Sequence, residues 1–207
     1  MKWEVKKYRV TFTEGMLATK PNDADVFETY IATKRDEGVS QDEVDAAKQT
    51  EAEVERIEKG KTVFHRNEDG DLVIWDYMIK GFLKESVKML RRNPDSEWKR
   101  QKGLNGYKGI IDGNVFIKPR KVVLHIPEGK EVTECARPLR AQTPQGERVA
   151  LAKSEEVPAG TTMEFEVWTN MPGLEKAMKE CWEYAEFHGM GAWRNSGKGT
   201  AVVEEVK

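Results

Sequence analysis

Residues 159–207 read "AGTTMEFEVWTNMPGLEKAMKECWEYAEFHGMGAWRNSGKGTAVVEEVK". "TTMEFEVWTN" alternates, with Met163, Phe165 and Val167 on one side and Glu164, Glu166 and Trp168 on the other. That is the period-two pattern of a half-buried strand. "PGLEKAMKECWEYAEFHG" places Leu174, Ala177, Met178, Cys181 and Ala185 at helical spacing. "TAVVEEV" closes as a second strand. Between this helix and the last strand stand Gly189, Gly191, Gly197 and Gly199, around Trp193 and Arg194. A glycine inside regular structure costs roughly 0.5–1 kcal/mol relative to alanine. Four of them ask for either a difficult turn or a ligand that touches main chain.

Working outward, "WEVKKYRVTF" (3–12) reads as a strand that stops at Gly15 and Pro21. Residues 13–70 read as a mostly helical, acidic insertion with a thin apolar stripe, in which Ser40 and Glu43 make a capping box and Gly60 a C-cap. In "DLVIWDYMIKGFLKESVKMLRRNP" (71–94), Ile79, Phe82, Leu83, Val87 and Leu90 recur at helical spacing until Pro94 ends the helix. Lys80, Lys84, Lys88, Arg91 and Arg92 fall on its opposite face. "NVFIKPRKVVLHIP" is a strand pair or one bent strand broken at Pro119, and "TECARPLRAQTPQGERVALAKSEEVP" a shorter strand followed by a polar loop. Strand–helix–strand–strand–helix–strand predicts an α+β protein with a ferredoxin-like (RRM-like) βαββαβ core: an antiparallel sheet and two helices. The expectation is one domain over 1–207 carrying the insertion at 13–70.

Composition narrows the function classes. The 207 residues are 38% apolar and 34% charged, and six tryptophans do not suit a disordered chain. Two cysteines and three histidines have no zinc spacing, so no metal and no disulfide are expected. No stretch approaches the length of a membrane span and "MKWEVKKYRV" is no signal peptide, which leads to the expectation of a cytoplasmic protein without a membrane partner. No cofactor is expected either. The glycine segment lacks the P-loop lysine pattern, and it follows a helix and precedes a strand, the reverse of a dinucleotide fingerprint. Net charge is −2, yet residues 80–121 carry 12 basic and 4 acidic groups. Such a segment is a face for a polyanion or a solvated helix surface.

The candidate binding residues follow from chemistry. Backbone N–H groups of a glycine loop can hold phosphates; Arg194 adds a charged fork, Lys198 a point charge and Trp193 a stacking plane. The same residues also suit a tight helix-to-strand connection. Arg137, Arg140 and Arg148, with Gln142 and Gln145, line a polynucleotide groove or decorate an exposed hairpin. "EWKRQKGLNGYKG" pairs aromatics with lysines as single-strand binders do, or tucks Trp98 and Tyr107 inward. His188, just before the glycine loop, is a general base or acid for a phosphodiester, or a helix-end cap.

Three phrases together carry a resemblance: "GMGAWRNSGKGT" as a glycine-rich loop between last helix and last strand, "EEVPAGTTMEFEVW" as a Pro-Ala-Gly turn feeding an aromatic strand, and "MIKGFLKESVKMLRR" as a Lys-Gly helix start ending in arginines. The chain resembles the RAMP superfamily, the repeat-associated proteins that process or coat CRISPR RNA, over about residues 70–207. The likeness is greatest to the backbone subunits of multi-subunit effectors, in the form of a solitary phage or prophage member. The resemblance implies a ferredoxin-like core, binding of RNA or single-stranded DNA, and possible homo-oligomers assembled head to tail. By position it brings Lys80 and Gly81 to an RNA backbone, with Gly189, Gly191, Arg194, Gly197 and Gly199 as the loop beside it. It departs from the effector subunits in an acidic insertion where they carry a basic thumb. The function expected is non-catalytic nucleic-acid binding, with Lys84, Lys88, Arg91, Arg137, Arg140, Trp193 and Lys198 joining the site. The alternatives are a module that mimics or inhibits a host CRISPR-type protein complex, and an RNA endonuclease of the same superfamily.

Overall fold

The computed structural model describes residues 3–22, 61–143 and 146–206. The expected helices between residues 23 and 60, with the Ser40 capping box and Gly60, lie outside them. The chain is a mixed α+β protein built of helices and mainly antiparallel sheets, with a short parallel pairing of Ser154 with Thr62. Its contacts divide it into two units: Met1–Met16, His65–Glu131 and Val157–Lys207 form one, Leu17–Phe64 and Val132–Glu156 the other.

In the first unit β1 (Glu4–Phe12) lies inside a four-stranded sheet with β7 (Val115–Lys118), β11 (Thr162–Thr169) and β12 (Ala201–Val206). The order is β12–β1–β11–β7 and every neighbouring pair is antiparallel. Register places Tyr8 opposite Phe165, and Val10 opposite both Met163 and Val203. β11 alternates buried and half-buried as its sequence predicts. The buried set is packed by α1 (Asp76–Leu90), through Ile79, Phe82, Leu83 and Val87, and by α4 (Leu174–Tyr184). Trp182 of α4 joins the layers, its ring 5.2 Å from Tyr8, 5.9 Å from Phe165 and stacked 6.3 Å from Phe82. Such ring pairs contribute about 0.5–1.5 kcal/mol beyond the area they bury.

Two expectations need correction here. The apolar run before α1 is a strand, β6 (Leu72–Trp75), lying between β5 (His65–Arg66) and β8 (Lys121–Val123). Its four consecutive apolar residues include β-branched Val73 and Ile74, which suit a buried strand better than a helix start. The helix also stops at Leu90, ahead of Pro94, with Arg91 as its cap. The segment after Pro94 is ordered: α2 (Glu97–Arg100), a 3₁₀ turn (Lys102–Leu104) and α3 (Tyr107–Asn114), which bury Trp98, Leu104 and Ile111. Trp98 is therefore core, and Tyr107 lies under the Arg91 guanidinium at 5.4 Å.

In the second unit β9 (Thr133–Thr143) and β10 (Gly146–Val157) form a long antiparallel hairpin, in place of the shorter strand and polar loop expected. Arginines and Pro138 hide its alternation, and pairing of main chain carries it. Pro138 is tolerated because, among the described residues, β9 pairs with β10 alone and forms an edge. β2 (Met16–Leu17) lies on the other side of β10, and β4 (Thr62–Val63) links β10 to β3 (Lys20–Pro21). Thr62 Oγ1 donates to Ser154 Oγ at 2.7 Å or to Ala18 O at 2.9 Å. Glu134 receives Lys61 at 3.0 Å and Lys153 at 3.4 Å, and these two lysines hold its carboxyl below the usual range. No helix among the described residues is long and apolar enough to cross a membrane.

Candidate nucleic-acid interface

The glycine loop divides into a closed neck and an open tip. At the neck two chain segments run against each other at main-chain distance. A Cβ on Gly189 would lie 2.0 Å from Lys198 O, and one on Gly199 would lie 2.0 Å from Met190 O. Met190 N–H donates to Gly199 O at 2.9 Å, and Gly199 N–H donates to Gly15 O at 3.0 Å. Thr13 N–H reaches Thr200 O at 2.8 Å, and the two threonine hydroxyls meet at 2.9 Å. Gly189 and Gly199 are thus required by contact between backbones.

At the tip the reason differs. Gly191 and Gly197 take φ of 82° and 84°. Gly197 has open space where a side chain would go. Trp193, with φ of 57°, is the one non-glycine residue with positive φ among the described residues. Left-handed backbone at such a residue costs on the order of 1–3 kcal/mol and persists only where its surroundings enforce it. Trp193 is 41% exposed. A single 3₁₀ turn follows, Arg194–Ser196, closed by Gly197 N–H donating to Arg194 O at 3.0 Å.

Arg194 does not stand alone. Its Nη1 donates to Glu85 Oε2 on α1, and His188 Nε2 lies 3.4 Å from Glu85 Oε1. His188 also stacks on Tyr184, centroids 5.5 Å apart. One carboxylate therefore fastens the glycine loop to α1 and brings the two halves of the expected site together. Glu85 was not among the expected residues. It is the one acidic residue amid the cationic run from Lys80 to Arg92, and that interruption was its only signal in the sequence.

The cations of α1 fall into two groups. Lys80, Lys84 and Arg91 lean on neighbouring chain. The Lys80 ammonium sits 4.8 Å from the Phe116 ring centre and donates to Asp112 O at 3.3 Å; burial lowers its pKa, opposed by Asp112. Lys84 pairs with the Asp112 carboxylate at 2.5 Å, and Arg91 donates to Asn105 O at 3.0 Å. Lys88 is exposed, as are Arg92, in the turn just past the helix, and Gly81, around which a Cβ would meet nothing within 4 Å. Lys198 is half-buried near the loop tip. Arg137 and Arg140 lie on β9 of the second unit, opposite Ala152 and Val149.

No family model matches the sequence, and no curated protein matches it. Solved structures do. A chain of the Type III-B Cmr-beta bound to cognate target RNA matches 100% of this chain and 60% of its own, with 11% identity and a TM-score of 0.50. A chain of a Type IV-B CRISPR complex matches 98% of this chain and 90% of its own, with 11% identity and the same TM-score of 0.50. The protein thus spans 60% of the length of the first. At this identity the likeness is one of fold, and it is shared with chains of CRISPR complexes.

Proposed function

We propose that this protein is a non-catalytic, single-stranded nucleic-acid-binding protein with a RAMP-like, ferredoxin-like core, acting as a solitary phage-type member, with RNA preferred over DNA. The sheet order β12–β1–β11–β7, with α1 between the first and second core strands and α4 between the third and fourth, supports the ferredoxin reading. RNA is favoured because the Type III-B structure of like fold is bound to RNA. One observation carries the site: Gly81 and Lys88 are exposed on a helix whose Glu85 holds the glycine loop, and Arg92 is exposed in the turn just past that helix. A sugar–phosphate chain can approach Gly81 closely because no side chain stands there. Lys88 and Arg92 neutralise phosphates, and Trp193 offers a plane for a base. Cleavage is not part of this reading, since His188 Nε2 is buried beside Glu85 and out of reach of a scissile phosphate.

Anisotropy titration of a labelled single-stranded RNA over a range of salt tests the proposal. Binding is expected to weaken linearly on a log–log plot, and Lys88→Ala to lower the slope by about 0.7, one single-strand phosphate. No retained oligonucleotide at low salt overturns it. Gly81→Ala should separate fold from function. At an exposed helix interior it stabilises by about 0.8–1.0 kcal/mol, raising Tm by about 2–4 °C, yet it should weaken binding by putting a methyl under the phosphates. Calorimetry and titration of the same variant check both signs.

A second reading, a protein-interaction module, is favoured by a hollow of about 300 Å³ with Asp95, Glu183 and Tyr184 in its wall. Phe187, on its rim, is 78% exposed. A host-lysate partner that survives nuclease treatment would favour this reading over the first.

A further inference from the structure

We infer that Trp75 and Tyr77, at the start of α1, form a base-stacking platform for a single-stranded nucleic acid, a contact separate from the glycine loop. The two rings are stacked, 6.3 Å apart and 20° from parallel. Tyr77 is 57% exposed and Trp75 half-buried, so Tyr77 is the member of the pair that solvent reaches most. Three further groups surround it. His65 meets Trp75 edge-on at 5.9 Å, while Arg120 and Lys121 lie over the Trp75 ring at 5.8 and 5.6 Å.

The fold explains why these residues meet. Trp75 pairs with Lys121 across β6 and β8, and Asp76 N–H donates to Arg120 O at 2.8 Å. Among the described residues Asp76 is the acid paired with this cluster, and Arg120 Nε stands 3.6 Å from its carboxylate. Among the described residues, two cations stand against one carboxylate around the rings. Aromatic rings beside Arg and Lys are the chemistry of sequence-tolerant single-strand binding: a base stacks on the ring while its phosphate meets a cation.

The platform also leads somewhere. Tyr77, Gly81 and Lys88 lie on one stripe of α1 at spacings of four and seven residues, which covers about 16 Å along the helix axis. A strand stacked on Tyr77 therefore continues over Gly81 toward Lys88 and Arg92, and the platform marks one end of that track. This inference rests on the proposed function, in that the ligand is taken to be a single strand.

The test uses the full chain and a single-stranded oligonucleotide carrying a fluorescent adenine analogue, with an abasic oligomer of equal length as comparison. Tyr77→Ala is expected to weaken binding about 5- to 100-fold and to abolish quenching of the analogue, while Tyr77→Phe keeps both. The abasic oligomer should bind wild type no better than the intact one binds Tyr77→Ala. Should Tyr77→Ala bind and quench like wild type while Lys88→Ala weakens binding, the platform is overturned and the proposed function stands. Should wild type bind neither oligomer at low salt, the proposed function falls and the platform with it. Dependence on Tyr77 without dependence on Lys88 supports the platform and removes the α1 cations from the site.

Discussion

Trp98→Ala is expected to destabilise the protein by about 3–5 kcal/mol, the range for truncating a large buried aromatic. Trp98 is 0% exposed, in a segment whose lysines and arginines make it look like surface. Its indole Nε1 donates to Ala177 O in α4 at 2.5 Å. Beside it, Glu180 of α4 accepts from Ser96 Oγ at 2.5 Å and from Glu97 N–H at 2.8 Å, so α2 is fastened to α4 by one ring and one carboxylate. Truncation leaves a void that the sheet behind α4 prevents from closing. For a chain of this size the loss corresponds to a fall in Tm on the order of 10 °C, measurable by calorimetry. Trp98→Phe keeps most of the apolar area, loses the hydrogen bond, and should cost clearly less. A Tm for Trp98→Ala within a degree or two of wild type would contradict this burial.

What was legible in the sequence follows from what periodicity can carry. The alternation of 162–169 and the helical stripes of α1 and α4 depend on residues two to four apart, and they emerge where read. β6 was missed because four apolar residues in a row have no period. The β9–β10 hairpin was missed because its arginines and Pro138 blur, in the sequence, the pattern that main-chain pairing does not need. The charge of α1 was legible as composition but not as availability. Lys80 and Lys84 meet Asp112, 32 and 28 residues on, and Arg91 meets Asn105. Contacts between distant positions are invisible to a local reading, and they decide which cations face solvent. Glu85 shows the same limit in reverse, because a single carboxylate among lysines reads as dilution until Arg194 and His188 are seen on it.

The glycine loop turns this limit into a measurement. Gly189→Ala should cost about 2–3 kcal/mol, toward the upper end of overpacking penalties, because the atom in the way is a backbone carbonyl that no rotamer change can move. The clash partners are Lys198 O at 2.0 Å and Gly199 C at 2.5 Å. Gly197→Ala faces a different obstacle. Its φ of 84° is unfavourable to alanine but nothing lies within 4 Å, so strain alone acts, at about 1 kcal/mol. Urea unfolding followed by tryptophan fluorescence should therefore rank Gly189→Ala well below Gly197→Ala in midpoint, with equal slopes. Equal midpoints would mean that the neck is not closed main chain against main chain. The ranking bears on binding as well. Prising the neck apart moves Arg194 off Glu85, whereas a methyl at residue 197 leaves that pair in place. Gly189→Ala should thus disturb nucleic-acid affinity by displacing the loop from α1. Gly197→Ala should alter affinity only if the strand rests on the tip itself.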